Sequence, residues 1–180
     1  EFKHFYNNKT YLYPHYRRIE EIYKSEESFE EKRKIGEKDS LLCKLIRDDS
    51  VEEFIVHVTK NIIDLSSKIK ESVYETNSFL LENPPTLIEY AAFYGSIQIF
   101  RYLLQNNVEL TPELTIYAIH GKNPEIIHLL EENEIKFDSE LCLTEAIKCH
   151  HNDIANYIRN QMEENKKSLV IECLKYHNFT

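Results

Sequence analysis

Two stretches of this chain match each other at a fixed offset, and no other feature constrains its fold as tightly. In LIEYAAFYGSIQIFRYLLQN (87–106) and LTIYAIHGKNPEIIHLLEEN (114–133), Tyr90 falls on Tyr117, Ala91 on Ala118, Ile99 on Ile126, Phe100 on Ile127, Leu103 on Leu130 and Asn106 on Asn133, every pair 27 residues apart. A third copy, CLTEAIKCHHNDIANYIRNQ (142–161), continues the series with Ala146 and Ile154 another 28 residues on, and LVIECLKYH (169–177) puts Cys173 27 residues beyond Ala146. Upstream, LLCKLIRDDSVEEFIVHV (41–58) is a weaker copy, with Ile46 where Ala92, Ile119 and Ile147 stand. A period of this length is the mark of a repeat array, in which each unit cannot bury its own apolar face and must stack on its neighbours.

Each copy reads as two short helices. In the best one, Thr86 follows Pro84-Pro85 as an N-cap, a first helix runs to Tyr94, and Gly95 supplies the turn. The second helix then carries Ile99, Phe100, Leu103 and Leu104 on one face. Alanines in the first helix allow close helix packing. Only three glycines and five prolines in 180 residues leave few turns for a β-rich fold, so the chain is expected to be all-α.

TLIEYAAFYGSIQIFRYLLQNNVEL resembles an ankyrin repeat, with its T-P-L-H-x-A-A-x-x-G-H start and a second helix ending in paired leucines. Thr86, Ala91, Ala92, Gly95, Ile99, Phe100, Leu103 and Leu104 stand at motif positions; Leu87, Glu89 and Ser96 replace the family's Pro, His and His. The period of 27 or 28 against the family's longer one implies that the protruding hairpin is cut back. In this the chain is similar to short-period ankyrin-like proteins expanded in parasitic protists. The resemblance implies an ankyrin-like solenoid of stacked helical hairpins with an N-terminal helical segment.

The expected organisation is an N-terminal helical segment or cap over 1–40, then repeats over 41–180. Copies fall near 41–60, 86–107, 113–134 and 141–162, with a half repeat at 168–180 and an insertion at 61–77. Ile62, Ile63, Leu65, Ile69 and Val73 suggest partial helix in the insertion, lying on the array. From Pro14 a helix is expected with Tyr16, Ile19, Ile22, Tyr23 and Phe29 on one side, capping the first repeat. The chain opens on Glu1-Phe2 without Met and ends on half a repeat whose Leu169, Val170, Ile171, Cys173 and Leu174 are apolar. Both ends read as those of a longer protein, or the C-terminal edge as a site of homo-association.

Cys149, His150, His151 and Asp153 lie within five residues and are all competent metal ligands. No second cluster completes a site, because Cys43, Cys142 and Cys173 are solitary, so no metal and no cofactor are expected. In the repeat register His150 falls on the turn position of Gly95. His151 falls on the family's second His, which the resemblance implies bonds backbone at the turn. Asp153 matches Gln98 and Glu125 at the start of the second helix, where a negative charge suits the helix dipole.

Residues 1–40 are neutral and 41–180 carry the whole net charge of −9, without a basic run, which disfavours nucleic acid and anionic membranes as partners. No stretch is long and apolar enough to span a membrane, and four unpatterned cysteines without a signal sequence suggest an intracellular, cytoplasmic protein. The eight histidines are scattered and no glycine loop or nucleophile–base pairing is visible. A non-enzymatic protein-binding module is therefore the leading expectation. By the resemblance its concave face is the binding surface, with the two positions after the alanine pair facing outward: Phe93-Tyr94, His120-Gly121, Lys148-Cys149 and, by weaker alignment, Arg47-Asp48. The alternatives are a structural or self-assembling repeat protein and an enzyme with a small polar site built from His120, Lys122 and His150.

Overall fold

A computed structural model describes residues 29–136, 138–162 and 173–178. Among these residues the chain is all-helical: no strand is present, and one antiparallel bridge joins Lys68 and Thr86. The helices are α1 (Phe29–Ile35), α2 (Leu41–Arg47), α3 (Val51–Lys60), α4 (Ser78–Glu82), α5 (Leu87–Tyr94), α6 (Ile97–Gln105), α7 (Leu114–Gly121), α8 (Pro124–Glu132), α9 (Ser139–Lys148) and α10 (Asn152–Gln161). No described helix is long and apolar enough to cross a membrane. The helix expected from Pro14 lies outside the described residues as far as residue 28, as do Leu169, Val170 and Ile171.

The chain divides into two compact units. The first takes residues up to Lys44 and the segment Lys70–Pro84. Its described core includes Phe29 packed on Tyr74, ring centroids 5.6 Å apart, with the Lys32 ammonium over the Tyr74 ring, and the buried Cys43 and Leu80. Thr76 ties this segment to α1 by donating from both N and Oγ1 to the Gly36 carbonyl. Asn77 caps α4 by accepting from Phe79 N and Leu80 N.

The second unit, Leu45–Ile69 with Pro85 onward, is a series of helical hairpins. Helix α5 packs beside α7 and α7 beside α9, while α3 packs beside α6 and α6 beside α8. First helices therefore adjoin first helices, and second adjoin second. Ala91, Ala92, Ala118 and Ala146 are buried in the first helices, where small side chains let backbones approach. Phe54, Ile99, Phe100, Leu103, Ile126, Leu130 and Ile158 form the buried face of the second helices. Local signals set three of the boundaries. Thr86 and Glu89 form a reciprocal capping box at α5, Asn123 caps α8 with Pro124 at its first position, and Asp138 caps α9.

The turns repeat as faithfully as the helices. Left-handed backbone occurs at Asp49, Gly95, Lys122, His150 and His177, so the register that put His150 on Gly95 places both in the same conformation. In four of the five copies the next residue returns its N–H to the alanine-slot carbonyl, Ser50 to Leu45, Ser96 to Ala91, His151 to Ala146 and Asn178 to Cys173, at 2.9 to 3.0 Å. This is the Schellman closure of a helix C-terminus. The side chain of the same turn residue then donates to the preceding hairpin: Ser96 Oγ to Ile46 O (2.5 Å), His151 Nδ1 to Ile119 O (2.7 Å) and Asn178 Nδ2 to Ile147 O (3.0 Å). Asn123 Nδ2 reaches Gly95 O instead (2.9 Å), at the place where Gly121 runs directly against the Ala92 carbonyl. Carbonyls that a helix end leaves without intrahelical partners are thus satisfied by the next hairpin.

The insertion differs from the expectation. Residues 61–77 contain no helix but a string of turns and extended chain. Asp64 accepts from Ser66 N through its side chain and from Ser67 N through its carbonyl, and Ser72 Oγ accepts from Tyr74 N. Such local bonds compete with helical ones, which is why the apolar spacing of Ile62 to Val73 does not become a helix. Within the second unit, Ser67 O accepts from Leu87 N and Ile69 N donates to Pro85 O, so this stretch holds the entry to α5.

Candidate functional site

The last turns of α2, α5, α7 and α9 each present side chains on one side of the second unit, and these form a continuous row. Arg47 Nη1 donates to Tyr90 Oη at 3.0 Å, and its guanidinium lies 5.9 Å from the Tyr94 ring centre. Tyr94 packs between Tyr90 (4.7 Å) and Phe93 (5.1 Å). Phe93 stacks on His120 at 4.9 Å with the rings 27° apart, which carries the row from one hairpin to the next. Arg47, Phe93, Tyr94, His120, Gly121 and Cys149 are half-buried, whereas Lys148 and Asp48 are exposed.

Beyond His120 the row turns polar. Its Nε2 lies 2.9 Å from Glu145 Oε1, and the Cys149 thiol sits 3.5 Å from Nδ1 and 3.9 Å from Nε2. Lys148 Nζ donates to both carboxylate oxygens, at 3.1 and 3.3 Å. The hydrogen bond from His120 holds the Glu145 carboxyl below its ordinary range, against the opposing effect of burial and with help from Lys148. Burial, reinforced by the Glu145 charge, pushes the Cys149 thiol up to about 11. A thiol, an imidazole and a carboxylate in this order could in principle work as nucleophile, base and orienting group. The raised thiol makes it a poor nucleophile at neutral pH.

Six of the eight residues expected on the face, Arg47, Phe93, Tyr94, His120, Lys148 and Cys149, belong to this row. Gly121 belongs to the packing instead, because an added Cβ would come under 3.0 Å from backbone atoms of the preceding hairpin. Asp48 is exposed beside the row. His150 and His151 do not join Cys149: His150 is the exposed left-handed turn residue, and His151 is committed to the Ile119 carbonyl, with burial holding its imidazole below the usual pKa. Asp153 lies in the first turn of α10. Lys122 is the left-handed residue closing α7.

Two members of the row, Tyr90 and Glu145, escaped the sequence reading. They occupy one repeat position: Tyr90, Tyr117 and Glu145 each directly precede the alanine slot. A carboxylate where the two preceding copies bury a tyrosine is a signal that the alignment contained. Glu145 is 9 % exposed, and a buried charge at such a site needs the partners that His120 and Lys148 supply.

Residues 105–180 match the sequence model of a family described as a domain of unknown function (DUF3447). No curated protein and no solved structure matches the chain.

Proposed function

We propose that this protein is a non-enzymatic, cytoplasmic binding module that takes a protein partner along the row formed by the first helices of a short-period, ankyrin-like solenoid. The observation that carries the reading is the half-buried aromatic row Tyr94–Phe93–His120, flanked by Arg47 and Lys148, which runs across neighbouring hairpins. Rigid aromatics with a cationic rim are the side chains that dominate binding energy at protein interfaces. Support for the solenoid comes from the hairpin order and the turn bonds, and from the match over residues 105–180 to a family associated with ankyrin-repeat-containing proteins. Stacked repeats of this kind use an extended face for recognition.

A pull-down from the native cell with the wild-type chain and with Phe93→Ala/Tyr94→Ala tests this. The double variant is expected to keep its helical circular dichroism and to lose at least about 2 kcal/mol of binding energy, the level that defines a hot spot. Equal retention of the same partner by both proteins would remove the face from the reading. The structural alternative, a self-assembling repeat protein, would show instead as concentration-dependent association of the pure chain.

A further inference from the structure

We infer that His120, Glu145 and Cys149 form a binding site for a transition-metal dication, with Zn2+ as the best fit. The three residues come from adjacent hairpins, α7 and the end of α9, and their ligand atoms all lie within 4.8 Å of one another. Nitrogen, carboxylate oxygen and thiolate sulfur together match the preference of zinc and reject calcium and magnesium, which take oxygen.

The distances fit a tetrahedral face. Zinc bonds of about 2.3 Å to sulfur and about 2.0–2.2 Å to nitrogen and oxygen imply ligand–ligand edges of roughly 3.4–3.6 Å. The edges here are 2.9 Å for His120 Nε2 to Glu145 Oε1, 3.9 Å for Cys149 Sγ to Nε2 and 3.9 Å for Sγ to Oε1. Side-chain rotations of a few tenths of an ångström centre an ion among them. The site is already enclosed, since the His120 and Glu145 side chains are 13 % and 11 % exposed. Three protein ligands leave a fourth position for water, as in an open zinc site. Binding replaces the proton on the Cys149 sulfur, so affinity rises with pH.

Two neighbouring charges oppose the ion, the exposed Lys122, whose charge reaches Cys149, and Lys148. Lys148 Nζ donates to both Glu145 oxygens, but its side chain is 46 % exposed and free to swing into water. The site does not depend on any protein partner, so it can be read on the isolated chain. The sequence cluster Cys149-His150-His151-Asp153 contributes only its cysteine.

The experiment is a Co2+ titration of the reduced chain, followed by Zn2+ competition. We expect one equivalent of cobalt with tetrahedral visible bands and a thiolate charge-transfer band, all displaced by zinc. Cys149→Ser should abolish the charge-transfer band, and Cys149→Ser and Glu145→Gln should each weaken zinc by more than about tenfold, the low end of what even outer-shell residues contribute. Lys148→Met should tighten binding, a gain that a misfolded variant could not mimic. The exposed His128, which faces Glu131 and Glu132, serves as control, and His128→Ala should leave the spectrum unchanged. Stoichiometric cobalt without a thiolate band, binding indifferent to Cys149→Ser and Glu145→Gln, or loss of binding in His128→Ala would overturn the assignment.

Discussion

Replacing Gly121 by alanine sets two physical effects of opposite sign against each other. Gly121 is the last residue of α7, and in an isolated helix alanine is favoured over glycine by about 1 kcal/mol. In this fold the added Cβ would fall under 3.0 Å from the Ala92 carbonyl oxygen and 2.9 Å from Gly95 N. Both are backbone atoms of the preceding hairpin, so no flexible side chain can yield. Relief requires α7 to draw back from α5, which loosens the Asn123–Gly95 hydrogen bond at 2.9 Å and opens the packing around Ala91 and Ala118. Overpacking of this kind costs about 1–3 kcal/mol, and the strained hydrogen bond adds about 1 kcal/mol. Subtracting the helix-propensity gain leaves a net loss of about 2 kcal/mol. With a urea slope of about 2 kcal/mol/M, the unfolding midpoint followed by circular dichroism should fall by roughly 1 M at unchanged slope. A midpoint that rises, as propensity alone dictates, would show that the two hairpins do not meet backbone to backbone.

Asp49 supplies a cap across hairpins, accepting from Gln98 N and Ile99 N at 3.0 and 2.9 Å where Ser96 makes no side-chain cap of its own. Asp49→Ala should therefore cost about 1–2 kcal/mol in urea unfolding, and Asp49→Asn much less. Ile62 is a β-branched residue in left-handed backbone with a side chain 92 % exposed, so Ile62→Asn should stabilise by about 1 kcal/mol in the same assay. Burial, aided by Asp138 and Glu145, pushes the Cys142 thiol from 9.0 to about 12. The unfolded chain therefore releases this proton between about pH 9 and pH 12 while the folded chain keeps it, and stability must fall across that window. Urea midpoints below and above pH 10 should show the fall, and Cys142→Ala should reduce it.

The sequence makes the hairpins legible because their signals are local. Thr86, Gly95 and the alanine slots each act within one turn of themselves, and the repeat register then decides between metal and turn for His150 and His151. What it could not display is what crosses from one hairpin to the next. Asp49 caps a helix that starts in another copy, Gly121 is small for the sake of Ala92, and Glu145 is held by His120 from the neighbouring helix. The insertion misled for the reverse reason: its apolar spacing is helical, but Asp64 and Ser72 offer the backbone closer partners than a helix would.

Binding along the first-helix row is tested most directly by placing a photo-reactive amino acid at single positions and irradiating in the native cell. Lys148 and Arg47 mark the row; His128 and Tyr157, exposed on α8 and α10, mark the second helices. We expect one discrete cross-linked protein from positions 47 and 148, absent from 128 and 157, and lost when Phe93→Ala/Tyr94→Ala is added. Cross-links that form equally from all four positions, or only from 128 and 157, would contradict the central claim.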